Sequence, residues 1–139
     1  MNMSLYQITP EQMRSLISAK VLPKLSDNEV ETLVQAGVDS RTLIAGLYGE
    51  ELVGFIGMVP ITIASDSAYM WLYVNPPALR YRTMLARHSR LIITQLNSAY
   101  PRITGFCTTR QSFMWLQWLG AEFRQTAGNL MEFEIRRPA

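Results

Sequence analysis

The sequence predicts a mixed α/β (α+β) fold: a mostly antiparallel sheet of about six to seven strands, with helices on both faces and one parallel strand pair. Three observations predict it. The runs TLIAGLY, LVGFIGMVPITI and AYMWLYV follow one another across short polar turns, which is the pattern of an antiparallel meander. A long stretch of helical period then separates AYMWLYV from RITGFC, and a β-α-β crossover of this kind makes its two strands parallel with a right-handed connection. Two capped helices precede the meander and a second hairpin closes the chain.

Taken in order, SLYQI is a short strand. TPEQ follows it, with Thr9 as N-cap, Pro10 at the first helical position and Gln12 completing a capping box, and the helix runs to about Lys20. SDNE repeats the signal: Ser26 caps, Glu29 answers, and Val30, Leu33 and Val34 form an apolar stripe that Gly37 is expected to stop. GEE joins the first two strands of the meander with Gly49 in the turn, and SDSA joins the second to Ala68–Val74. Pro76 and Pro77 end that strand, and Leu79, Met84, Leu85, His88, Leu91, Ile92 and Leu96 recur at helical spacing through the longest helix, whose N-terminus falls around Arg80 to Leu85 and which reaches about Ser98. RITGFC is the next strand. RQSFMWLQWLG is a short apolar helix closed by Gly120, and AEFRQT and LMEFEI flank AGN as the second hairpin.

A chain of 139 residues is the size of one domain, 1–139, with one proper core. At 48% hydrophobic and 17% charged it is too apolar for a disordered chain. The net charge is +2, and apart from Lys20 and Lys24 the basic residues are arginines scattered along the chain, which is no nucleic-acid footprint. The single cysteine, Cys107, and single histidine, His88, leave neither an intramolecular disulfide nor the usual ligands of a zinc site. MNMSLYQITP lacks the basic and apolar segments of a signal peptide, and no apolar stretch reaches the roughly 18 residues of a membrane span. The expected address is the cytoplasm, the expected state a monomer or a homodimer through exposed strand edges.

The segment VNPPALRYRTMLARHSR carries the chemistry. A strand ends, prolines turn the chain, a helix opens, and arginines crowd the join. Free N–H groups at a helix start, aligned with its dipole, favour an anion such as a pyrophosphate. Arg80, Arg82, Arg87 and Arg90 also read as a solvated helix face, and arginines in a first turn oppose the dipole unless an anion joins them. Strand, proline and arginine before the long helix resemble the cofactor segment of the GNAT superfamily of N-acetyltransferases, where R/Q-x-x-G-x-G/A opens that helix. SFMWLQWLGAEF resembles the later helix of the same superfamily and its glycine-aromatic turn, here Gly120 and Phe123. With the order of elements, the resemblance spans nearly the whole chain and implies a GNAT-like fold.

It also implies acetyl-CoA as cofactor. The backbone of Leu72 and Val74 would pair with the pantetheine arm, and Arg80, Arg82, Thr83, Met84 and Leu85 would hold the pyrophosphate. Thr83 and Leu85 stand where the two glycines belong, and a branched side chain at Leu85 collides with a diphosphate docked in the family manner unless the helix starts a turn later. Many relatives use a tyrosine four residues before the later glycine as general acid; Leu116 stands there. AYMWLYV and RITGFC carry no carboxylate to act as base, so the catalytic candidates are Tyr73 and Cys107, with Thr108 and Thr109 beside the latter. Each has a structural reading too: Tyr73 as a half-buried packing residue, Cys107 as a small buried hydrophobe, and His88 as a helix residue with a hydrogen-bond partner.

GLYGEELVGFIGMVP, the tryptophan of MWLYV and SAYPRITGFCTTRQSFMWLQWLGAEF, in their spacing, are similar to one branch more closely: small acetyltransferase-like proteins of short-tailed bacteriophages, a group that includes an internal virion or core-assembly protein. That branch shares the eroded glycines, although Thr109 stands where it usually has asparagine. The resemblance implies a phage protein in the bacterial host cytoplasm, or in the virion. Two functions follow. One is transfer of acetyl to an amine of a host or phage protein; the other keeps the fold without the catalysis and binds a virion or host protein, with FMWLQWL, apolar nearly all round, as the interface or as a helix covered by the sheet.

Overall fold

A computed structural model describes residues 3–61, 66–107 and 110–137, and of Gln111 the backbone alone. Its elements are β1 Ser4–Gln7, α1 Pro10–Lys20, α2 Asp27–Asp39, β2 Thr42–Tyr48, β3 Glu51–Pro60, β4 Ser67–Val74, a 3₁₀ turn Pro76–Tyr81, α3 Arg82–Ala99, β5 Arg102–Cys107, α4 Arg110–Trp118, β6 Glu122–Ala127 and β7 Leu130–Arg136. The strands form one seven-stranded sheet in the order β1-β2-β3-β4-β5-β7-β6. The pair β4–β5 is parallel, from Ser67 opposite Arg102 to Tyr69 opposite Thr104. The pairs β1–β2, β2–β3, β5–β7 and β6–β7 are antiparallel. This is the mixed, mostly antiparallel sheet with one parallel pair that the crossover predicts.

Local chemistry accounts for most boundaries. The Thr9 hydroxyl accepts from the Gln12 N–H while the Gln12 amide oxygen accepts from the Thr9 N–H, and Ser26 and Glu29 repeat the box at α2. Gly49 and Gly128 take φ of 58° and 57° in the two hairpin turns, a region that L side chains avoid. At the end of α4, Gly120 has φ of 91°, and the Ala121 and Gly120 N–H groups donate to the Leu116 and Gln117 carbonyls, which is a Schellman closure.

Two expectations need correction. Gly37 does not stop α2, which runs on to Asp39 and is capped at Ser40. Its role is packing: a side chain at Gly37 would come within 2.9 Å of the Met13 sulfur and 3.2 Å of Leu43, so glycine lets α2 sit close to its neighbours. The α-helix opens at Arg82, within the expected stretch Arg80 to Leu85, but Leu79, counted with its apolar spacing, lies before it. A 3₁₀ turn intervenes, because Pro76 and Pro77 supply no N–H and the first bond, from the Ala78 N–H to the Asn75 carbonyl at 2.9 Å, spans three residues rather than four. The end of LVGFIGMVPITI and the start of the SDSA turn lie outside the described residues, as do Thr108 and Thr109.

The chain divides into two compact units. The first comprises 1–59 and 72–82, with Met13, Leu52, Phe55 and Met58 almost wholly buried. The second comprises 60–71 and 83–139, and its core is built on Ala68, Ile103, Phe133 and Ile135. Apolar burial of this kind stabilises each by about 1.5–3 kcal/mol per large side chain.

Candidate functional site

The first unit carries the corner at which β4 becomes helix. β4 runs past its parallel ladder to Leu72, Tyr73 and Val74, of which Leu72 is 38% exposed and the other two are half-buried. Across from them Gly54 of β3 lies so close that an added Cβ would overlap the Tyr73 carbonyl and come 3.1 Å from the Val74 Cα. Only glycine permits this approach of the two strands. The Tyr73 ring leans on Phe55 at 6.2 Å between centroids.

Asn75 makes the corner. It is buried, its N–H donates to the Val53 carbonyl, and its side-chain amide donates to the Lys20 and Leu52 carbonyls and accepts from the Leu22 N–H. At the far end of the 3₁₀ turn, the Arg80 guanidinium donates to Glu51 at 2.6 Å and the Tyr81 hydroxyl donates to the same carboxylate oxygen at 3.1 Å. Arg80 also lies 4.8 Å from the centre of the Tyr81 ring, which packs 5.0 Å from Tyr48. Hydrogen bonding to Glu51 raises the Arg80 pKa further, so its charge is fixed and already partnered.

Arg82 follows, exposed, with no ion-pair partner among the described residues, and its N–H donates to the Leu79 carbonyl. It is the first residue of α3, whose first turn holds no acid. Thr83 is exposed there, and Met84 and Leu85 are half-buried. The α-helix thus begins a turn after the prolines.

The catalytic candidates fall in different units and are taken separately. Burial pushes the Tyr73 phenol above its ordinary pKa, and the Glu29 carboxylate on α2 pushes it the same way, so it stays protonated through neutral pH. Cys107, at the end of β5, is buried, and burial raises its thiol pKa. Leu116 is buried and offers no hydroxyl. His88 is half-buried. The α4 helix is not fully covered: Leu116 is buried, but Met114 is 57% and Trp118 42% exposed, and Arg90 stacks 4.0 Å over the Trp118 ring while donating to its carbonyl.

The sequence does not single out Asn75 and Glu51, which hold the 3₁₀ turn, or Glu29, which acts on Tyr73. Glu29 was visible only as a cap, and Glu51 only as part of a turn. An asparagine directly before two prolines at a strand end was the one local signal for Asn75, since proline drives the preceding residue to the extended conformation a strand-to-turn corner uses. Among the described residues no group of His, Cys, Asp and Glu could hold a metal ion, and no helix is long and apolar enough to cross a membrane.

No protein-family profile matches the chain, and no curated protein matches it. Solved structures do. A chimera of spermidine N-acetyltransferase SpeG from Vibrio cholerae and hSSAT superposes with a TM-score of 0.69 at 11% identity, over 98% of this chain and 96% of the other. The PaiA N-acetyltransferase of Thermoplasma acidophilum, in complex with coenzyme A, gives 0.62 at 15% identity, over 98% and 99%. RimL, a ribosomal-protein alpha-N-acetyltransferase, also in complex with coenzyme A, gives 0.68 at 10% identity, over 98% and 94%. The fold is therefore that of the GNAT N-acetyltransferases.

Proposed function

We propose that the protein is an N-acetyltransferase that moves acetyl from acetyl-CoA to an amine, with an amine of a host or phage protein as the acceptor. The observation that carries this reading is the corner after β4. A strand that runs on past its parallel ladder to an exposed Leu72 is turned by Asn75 into a 3₁₀ turn, and a helix then opens on an exposed arginine with no acid in its first turn. An electropositive helix start is unfavourable alone and favourable beside a phosphate. The fold likeness to proteins solved with coenzyme A supports the same cofactor.

The residues present fit that group in a modified way. Leu72 and Val74 would offer backbone groups to the pantetheine arm, while Arg82 would take the pyrophosphate in place of glycine N–H groups. Arg80 acts less directly, through its hold on Glu51. Bound acetyl-CoA supplies the acetyl thioester. A neutral acceptor amine would attack the thioester carbonyl; as the C–N bond forms and the C–S bond breaks, the nitrogen would give its proton to water, and Tyr73, kept protonated by burial, is the candidate to protonate the departing thiolate and to regain that proton from solvent. Such a transfer depends mostly on positioning, which suits a site with no strong base.

The second reading, a catalytically inactive GNAT-fold protein that binds a virion or host protein, is favoured by the exposure of Met114 and Trp118 on α4. One experiment separates the two: calorimetric titration with acetyl-CoA and with coenzyme A, followed by a thiol-release assay with peptide amines and a polyamine as acceptors. Micromolar binding and thiol release only in the presence of an amine are expected. Absence of any heat from a folded sample would sink the enzyme reading and leave the binding one.

A further inference from the structure

We infer that Asn75 is the positioning residue of the cofactor turn, an inference that rests on the acetyl-CoA reading above. The 3₁₀ turn Pro76–Tyr81 begins with two residues that cannot donate a backbone hydrogen bond, so it cannot anchor its own start. Asn75 does this from both its backbone and its side chain. Its N–H continues the strand contact to the Val53 carbonyl at 2.8 Å, and its carbonyl accepts the Ala78 N–H that closes the turn at 2.9 Å.

The side chain reaches the opposite way. Its oxygen accepts from the Leu22 N–H at 3.1 Å, and its nitrogen donates to Lys20 and Leu52 carbonyls at 3.0 and 3.1 Å. The Lys20 carbonyl is one that α1 leaves without a helical partner at its C-terminus, and Leu52 lies on β3. One buried amide therefore ties the end of α1, β3 and the entry to the turn together, while Glu51 grips the exit at Arg80 and Tyr81. The turn that delivers Arg82 is held at both ends.

The site demands asparagine rather than a general polar residue. Two of its partners are carbonyl oxygens and one is an N–H, so the side chain must offer two donors and one acceptor. Aspartate has the same shape and no donors, and it would set a carboxylate against two carbonyls. A misplacement of about 1 Å at a binding element far from the chemistry can cost on the order of a hundredfold, so the expected signature of Asn75→Asp is lost affinity rather than only lost stability.

The test compares wild type, Asn75→Asp, and Val34→Ala, a core truncation in α2 of the same unit, below the temperature at which each starts to melt. Amide hydrogen exchange at Ala78 and Arg82 and the acetyl-CoA dissociation constant are both read. The expected result is faster exchange at those two amides in Asn75→Asp with β2 amides unchanged, and an affinity at least about tenfold weaker, while Val34→Ala keeps wild-type values in both. Unchanged exchange at Ala78 and Arg82, or an affinity equal to that of Val34→Ala, overturns the positioning role. If wild type binds no acyl-CoA, the enzyme reading fails by itself, and the exchange data alone still decide whether Asn75 holds the turn.

Discussion

At the scale of single residues, the arginines of the segment after β4 look alike in sequence and differ in the structure by their partners. Arg80 is paired: a carboxylate 2.6 Å away neutralises it and the Tyr81 ring packs against it. Arg82 is exposed and opens a helix whose first turn contains no acid. A phosphate gains most from the cation that has no internal rival, since a charge-assisted bond to Arg80 must first displace Glu51. The two alanine variants should therefore separate in the same titration. Arg82→Ala is expected to weaken acetyl-CoA binding about tenfold, the effect of one hydrogen bond to a charged group. Arg80→Ala should weaken it by about threefold or less, the range of an exposed ion pair. Equal losses, or a larger loss in Arg80→Ala, would mean that Glu51 releases Arg80 to the ligand.

At the scale of elements, the strands that flank the site approach closely because β3 has glycine at Gly54. A methyl group there meets the Tyr73 carbonyl and the Val74 Cα, both backbone, so neither can swing aside as a side chain would. Gly54→Ala should lower stability by about 1–3 kcal/mol, the usual cost of overpacking, read as a fall in the thermal midpoint. Gly49→Ala, in an open hairpin turn with φ of 58°, meets no neighbour and is strained by its backbone alone, so it is the control for strain without collision. A Gly54→Ala midpoint no lower than that of Gly49→Ala would refute the close approach. The comparison also marks what could be read in advance. Capping boxes at Thr9 and Ser26, turn glycines at Gly49 and Gly128 and the Gly120 closure are local, so a few neighbouring letters specify them, and the crossover forced one parallel pair. Gly37 misled for the opposite reason: its cause is the Met13 sulfur, remote in sequence. The 3₁₀ turn was masked by apolar spacing that suits either helix. The grip of Glu51 on Arg80 and the bonds of Asn75 to Lys20 and Leu52 join residues far apart in the chain, and one sequence offers no pattern for them.

At the scale of the whole molecule, its charged groups define a window of pH in which the fold is most stable. Glu134 on β7 accepts hydrogen bonds from Arg136 and Arg102, and with burial opposing them the bonds hold its carboxyl below the ordinary 4.5. Glu31, bonded to Arg14, and Glu29, bonded to the Ser26 backbone, shift the same way. For each, the unfolded chain binds the proton more readily. The stability they contribute is therefore present above about pH 4.5 and is lost as pH falls toward the lower folded values. Cys107 moves oppositely, because burial raises its thiol above 9.0: the folded state keeps the proton longer, and stability falls as pH rises past 9.0. The Tyr73 phenol, also raised by burial, extends that loss above 10.0. The thermal midpoint should be level between these limits and decline on both sides. The arginines around Glu134 are 47% and 69% exposed in their side chains, so solvent screening holds its share of the acid limb to about 1 kcal/mol or less. Glu134→Gln should lower the midpoint near neutrality and make the acid limb shallower, and Cys107→Ser should flatten the onset of the alkaline limb. A Glu134→Gln profile parallel to wild type from neutrality into acid would place the acid sensitivity on other carboxylates, and a wild-type midpoint that keeps rising above pH 9.0 would contradict the burial of the thiol.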